Sequence, residues 1–309
     1  MRNKMVYISF LFFLLVTIPY VITIFIDHGE KKGKVEEYES GYKIMDGEKI
    51  IDLEEYLLKI LPGQISMDQQ ENAVKAQAVI LRTDVIRRMG KKKKISKNQL
   101  PYPSSEDEQY KRKLGNRSYE SMDQKRKKAV SETKGQVIVY KDQLIKPYFH
   151  QVSIGVTLDS MEWFGKDIPY IKEKESLSDI EAKDYMTIKV LSYDQIQNTL
   201  KVHHVKEIKI EELKKKLKPS RTTKNGYVKQ VDAGGVLVSG EAFAKWFHLS
   251  SNNFYFERYK GKIRAICLGK GSGLGLSQYG AEQLAKKGRT YKKILNYYYP
   301  KTRIKNLYE

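Results

Sequence analysis

Apolar and polar positions change rhythm several times along the chain. Residues 5–26 carry no charge and are rich in Phe, Ile, Leu and Val. As a helix this run is about 33 Å long, enough to cross a hydrocarbon core of about 30 Å. Pro19 is tolerable in a membrane helix. Arg2 and Lys4 precede the run and no small-x-small cleavage pattern follows it, so it reads as an uncleaved transmembrane anchor. Lys31, Lys32 and Lys34 lie just beyond it, so the lysine-arginine bias gives no clear orientation.

After a charged stretch, 27–40, shorter periods take over. Residues 41–51 predict two short strands about Asp46-Gly47, a good hairpin turn. Residues 53–60 predict a short helix that ends before Leu61-Pro62-Gly63. Over 72–89, Val74, Ala78, Leu81 and Val85 fall on one stripe of a long helix. Gly90 ends it, and a basic loop follows at 91–94. Strand-like composition marks 136–140, 145–150, 185–190, 205–210, 227–231, 235–238 and 253–256. Further helices are predicted at 211–218, 240–247, 277–287 and 291–298, the last with Thr290 as N-cap and Pro300 beyond its end. Helices at both ends of a strand-rich middle predict an α+β fold: an N-terminal transmembrane helix followed by one strand-rich domain with flanking helices. The expected boundaries are 1–4 for a short cytoplasmic N-terminus, 5–26 for the anchor, 27–40 for a juxtamembrane linker and 41–309 for the domain.

Charge narrows the partners. Lys plus Arg is 57 and Asp plus Glu is 37, a net +20. That excess favours a polyanion (nucleic acid, anionic lipid or cell-wall polymer) without choosing among them. Cys267 stands alone, which excludes an intrachain disulfide and a multi-cysteine zinc site. The five histidines are scattered and form no HExxH, so no metal or other cofactor is expected. The loop Gly271-Ser-Gly-Leu-Gly275 is neither GxGxxG nor a Walker A loop, which disfavours a nucleotide. It serves close backbone packing, or lines a groove with Ser272, Ser277 and Gln278.

Several segments, in order, carry a resemblance. Residues 52–65 (DLEEYLLKILPGQI) and 73–83 (AVKAQAVILRT) look like the opening motif of the stage II sporulation protein D (SpoIID/LytB) family. Residues 271–281 (GSGLGLSQYGA) and 291–300 look like its closing motif, and 129–137, 148–157 and 239–252 resemble segments between. The resemblance implies a membrane anchor, an extracytoplasmic domain and lytic transglycosylase chemistry on peptidoglycan glycan strands during engulfment. The partners it implies are those strands, the membrane through the N-terminal helix, and other cell-wall hydrolases or engulfment proteins; it implies no nucleic acid. A hydrolase needs two carboxylates. A lytic transglycosylase, whose nucleophile is the sugar's own hydroxyl, can use one glutamic acid as acid and then base.

The chain departs from that pattern at the positions that carry chemistry. Gln64 stands where the family's Gly-Glu-Met triplet has its glutamate, and an amide cannot donate and recover a proton near neutral pH. Ser272 replaces the histidine of Gly-His-Gly, and Ser153 to Thr157 keeps only part of Ser-x-Gly-Gly-x-Thr. The resemblance thus implies a substrate-binding set of Gln64, Lys75, Arg82, Ser153, Gly155, Thr157, Ser272, Ser277 and Gln278, with no catalytic residue and no metal. Gln64, the 153–157 loop and the 272–278 loop are expected to converge on one cleft. Three readings stand: a glycan-binding protein with reduced or no activity, an enzyme with a relocated acid, and a plain basic binder of anionic polymer. Glu54, Glu55, Asp68 and Glu71 are the carboxylates nearest to Gln64 in sequence, each with a bland helix-start explanation. His150 could touch substrate, and Tyr297, Tyr298 and Tyr299 could stack on sugars.

Overall fold

The computed structural model describes residues 40–103, 116–203, 205 and 208–308, together with Thr17. Apart from Thr17, the run read as an anchor lies outside the described residues. Among the described residues no helix is long and apolar enough to cross a membrane. The described residues from 40 onward form a mixed α+β fold around two hydrophobic cores.

The first sheet pairs β1 (Lys43–Asp46) with β2 (Lys49–Asp52) across the Asp46-Gly47 turn and adds β3 (Lys94–Ser96) parallel to β1. Ile44, Ile51 and Ile95 face the first core, while Met45 and Ile50 are exposed on the other face. Asp52 caps α1 (Leu53–Gln64), its carboxylate accepting the Glu54 N–H at 2.9 Å. The sequence predicts a stop before Leu61, yet α1 runs on through Pro62. A proline inside a helix deprives a carbonyl one turn back of its donor. Here that carbonyl belongs to Leu58, and Arg126 Nη1 donates to it at 3.2 Å. The helix therefore continues and carries Gln64 in its last turn.

Helix α2 (Glu71–Met89) shows the expected stripe buried, but Lys75, Gln77, Arg82 and Asp84 are buried as well. It is wrapped by α1, by α3 (Asn116–Ser131) and by β4 (Gln136–Tyr140). β4 pairs with β5 (Gln143–Leu144) and, on its other side, with residues 303–306. The strand expected over 145–150 shrinks to β6 (Phe149–His150), since Pro147 cannot donate to a ladder. A short helix α4 (Ser160–Phe164) follows.

The second core belongs to residues 191–267. β7 (Met186–Leu191) leads into α5 (Tyr193–Val202), which the strand-biased reading misses although Ser192 and Gln195 form a capping box. The described part of the strand expected over 205–210 is not a strand, because Ile210 opens α6 (Ile210–Lys216). β8 (Lys218–Thr222), β9 (Val228–Asp232) and β10 (Leu237–Ser239) make one sheet, with α7 (Gly240–Trp246) packed on β9. β11 (Phe254–Tyr259) and β12 (Lys262–Leu268) complete a sheet with β7. Phe243, Phe247 and Phe254 fill the space between.

The glycine-rich loop then returns the chain to the first core. β13 (Leu276–Ser277) lies parallel to β6, with Leu276 beside Phe149 and Ser277 beside His150. α8 (Gln278–Lys286), α9 (Tyr291–Tyr298) and β14 (Arg303–Asn306) close the fold. Gly275 shows why the loop is glycine-rich: at φ 69° its backbone presses so closely on Tyr148 that an added Cβ would sit 1.9 Å from the Tyr148 carbonyl oxygen. Gly275→Ala is expected to lose about 1–3 kcal/mol of stability, read as a lower urea midpoint at constant slope. An unchanged midpoint would show that the two backbones are free to part.

Candidate functional site

Gln64 reaches the wall of an open groove of about 610 Å³. The C-terminal turn of α1 supplies Pro62, Gly63, Gln64 and Ile65, and the turn before α2 supplies Ser66, Asp68 and Gln69. Gln151 and Val152 come from the segment after β6, and Gln278 and Tyr279 open α8. The walls are locked together by main chain: Tyr279 N–H donates to the Gln151 carbonyl at 3.0 Å, and Val152 bridges Lys270. Gln278 Nε2 donates to the Gln64 carbonyl at 2.6 Å and to Gln77 Oε1 at 3.1 Å. A second arm of about 370 Å³ shares Gly63, Gln64, Gln151 and Gln278 and adds His150, Ser250, Lys270 and Gly271. The groove therefore runs past Gln64 on two sides, and its polar lining combines four glutamines with Ser66, Ser250, Tyr279, His150 and the charged Asp68, Asp184 and Lys270.

The remaining expected binding residues go elsewhere. Arg82 has no exposed surface; its Nε and Nη2 grip the Glu54 carboxylate at 2.8 and 2.7 Å, and its other donors face the Val130 and Gln136 carbonyls and Thr133. Lys75 is buried between Glu71 and Glu132. Ser153 and Ser277 are both buried and meet at Asp179: the Ser153 N–H and the Ser277 hydroxyl each donate to Oδ2 at 2.6 Å, while Ser176 Oγ donates to Oδ1 at 3.0 Å. Ser277 Oγ also caps α8. Thr157 donates to the Lys172 carbonyl and accepts from the Lys174 N–H. Gly155 turns at φ 96° and its carbonyl accepts the Ser176 N–H. Ser272 accepts from the Leu274 N–H and lines neither arm. These seven residues thus build the walls and core of the fold and do not present groups to the groove. Asp179, which fastens the central loop to the closing one, lies in no matched motif, and sequence spacing offers no signal for it.

Carboxylates near Gln64 are few. Glu54 is spent on Arg82, Glu55 pairs with Lys59, and Glu71 pairs with Lys75 and Lys128. Asp68 lines the groove, is exposed and has no ion-pair partner among the described residues. Asp184, from the turn before β7, lines the opposite side and bonds Lys270 at 3.0 Å. That ammonium holds the Asp184 carboxyl below the usual carboxylate range, so near neutral pH it carries no proton to give. The tyrosines of α9 stay away: Tyr298 and Tyr299 are buried, and Tyr297 donates to the Glu175 carbonyl at another cavity.

His150 is buried behind the second arm. Its Nδ1 lies 3.0 Å from the Leu274 carbonyl, which only accepts, so Nδ1 carries the proton of the neutral ring. Burial pushes its pKa below the ordinary value, although that carbonyl and the Asp179 charge oppose the shift. The folded state thus takes up this proton at lower pH than the unfolded chain. Stability is full above the unfolded value of about 6.5 and falls as the pH drops below it. The melting temperature should fall between pH 7 and pH 5, and His150→Asn should flatten that slope. Equal slopes in both proteins would refute the assignment.

Comparison with known proteins places the chain. The family model described as "Stage II sporulation protein" matches residues 43–140. The chain is 29% identical over 261 residues to stage II sporulation protein D of Bacillus subtilis, covering 82% of this chain and 74% of that protein. It is 26% identical over 257 residues to the protein of that name from Bacillus amyloliquefaciens, covering 81% and 73%. An uncharacterized protein of Brachyspira hyodysenteriae is 27% identical over 253 residues, covering 81% and 65%. Over most of its length the chain is thus similar to stage II sporulation protein D, and residues 43–140 match that family's model.

Proposed function

We propose that this chain is a membrane-anchored, extracytoplasmic cell-wall protein of sporulation. Its groove holds peptidoglycan glycan strands and cuts them slowly or not at all. The observation that carries the reading is the position of Gln64: the residue that the motif resemblance sets at the family's catalytic glutamate is an amide lining both arms of the groove. Amides and hydroxyls suit a neutral sugar chain, which a glutamine can hold but not protonate. Residues 5–26 serve as the anchor, 27–40 as the linker and 41–309 as the glycan-binding domain, with cell-wall hydrolases or engulfment proteins as its partners at the membrane.

A second reading has its own support. Asp68 stands on the same wall as Gln64 without an ion-pair partner among the described residues, and so offers a relocated acid. Incubating the protein with strands stripped of stem peptides separates the two. Binding without 1,6-anhydro products supports the first reading. Robust anhydro-sugar formation that Asp68→Asn abolishes supports the second, and failure to bind the strands refutes both.

A further inference from the structure

The C-terminal end of α2, away from the groove, carries a second concavity of about 530 Å³. Arg88, Lys91, Lys92, Lys94 and Gln99 line it, and no carboxylate does. Lys91, Lys92 and Lys94 have no ion-pair partner among the described residues, while Arg88 bonds Asp84 at 2.5 Å. Lys94 belongs to β3, and in the sheet it stands in register with Lys43. The next outward-facing row sets Ser96, Met45 and Ile50 side by side. Ile50 is 71% exposed and Met45 37%. With strands about 4.8 Å apart and residues about 3.3 Å apart, Lys94 and Ile50 lie roughly 12 Å from each other on one face. The carboxylates within its strands are engaged: Asp46 pairs with Lys97, and Asp52 caps α1 and pairs with Lys43; Glu48, in the turn between β1 and β2, is exposed beside Lys49.

We propose that this face docks onto the anionic headgroup layer of the membrane, with the lysines on lipid phosphates and Ile50 and Met45 at the hydrocarbon boundary. Lysines close to an anionic bilayer are attracted to it, and exposed apolar side chains beside them gain by entering the interface. A soluble polyanion offers nothing to the apolar pair, which is why the membrane is the better fit. The proposed anchor at 5–26 supplies the tether to that bilayer. The inference rests on that anchor. It has a consequence for the groove, whose wall at Asp68 and Gln69 immediately precedes the other end of α2. A helix of 19 residues spans about 28 Å, so docking would hold the groove up to that distance above the lipid surface.

The test uses the full chain with Ile50→Cys carrying a fluorophore; the native Cys267 is buried and escapes labelling. Vesicles contain lipids with brominated acyl chains, which quench a label at the hydrocarbon boundary. Quenching should be strong when phosphatidylglycerol is mixed into phosphatidylcholine and weak without it. Joint Lys91→Glu, Lys92→Glu and Lys94→Glu changes should abolish the difference. Single Lys→Gln changes should weaken surface binding roughly fivefold each. Equal quenching in both lipids, or none in either, would overturn the proposal. So would a label that ignores bilayers but responds to soluble poly(glycerol phosphate). Flotation with pure phosphatidylcholine vesicles reads the anchor alone. A chain that fails to float defeats the anchor, whereas the charge-dependent quenching judges the docking face.

Discussion

Gln64→Glu should increase cleavage of denuded glycan strands by about 10²–10⁴, the usual worth of a general acid. The change replaces an amide by a titratable acid of nearly the same volume, at a residue that already lines the groove. Binding should change little. For the acid to hold its proton near pH 7 its pKa must be raised, and Ile65, Met122 and the aliphatic edge of Pro62 supply apolar walls for that. Lys270 in the adjoining arm works against it, although its charge is partly met by Asp184. The measurement is 1,6-anhydro product per unit time against pH, with the rate on the acid limb tracking the new carboxyl. No gain despite intact binding would mean that the groove has lost more than one proton donor. Ser272→His adds little on this structure, because Ser272 lines neither arm.

Arg82→Met should cost about 3–5 kcal/mol, because it leaves the Glu54 carboxylate charged and fully buried with its main partner gone. Tyr308 Oη and the Gly135 N–H still donate to Glu54, at 2.8 and 3.3 Å, but neither neutralises it. Joint Glu54→Leu and Arg82→Met should be less destabilised than Arg82→Met alone, since no uncompensated charge remains; the Val130 and Gln136 carbonyls would still lack their donor. Urea midpoints at constant slope give these values. Glycan affinity per folded molecule should be unchanged in both. Loss of affinity with normal stability would return Arg82 to the binding set.

Much of the fold can be read from periodicity, and the exceptions have identifiable causes. The stripe on α2 and the Asp46-Gly47 hairpin are local patterns with local outcomes. The extension of α1 through Pro62 is not local, because the donor that permits it, Arg126, arrives from α3. For the same reason Gln64 sits at a helix end rather than in a free loop. The site is legible in part. Gln64 and Gln278 do come together across the groove, but Ser153 and Ser277 converge on Asp179 instead. Small polar residues in a glycine-rich loop look alike in sequence whether they serve a ligand or a buried carboxylate. Only the placement of Asp179, in a stretch without a motif, decides between them.

The pairing of Gln64 with Gln278 also bears on timing. The two residues are 214 positions apart, and the parallel contact of β6 with β13 likewise waits for the end of the chain. Contacts of such separation form late, after the entropy of closing a long loop has been met. During synthesis, the groove lacks the wall made by Gln278 and Tyr279 until those residues are available. A fragment covering 43–140 contains Gln64 but neither Gln151 nor Gln278. On the proposed reading, an incomplete chain lacks the assembled groove and is expected not to bind glycan until its C-terminal part has folded.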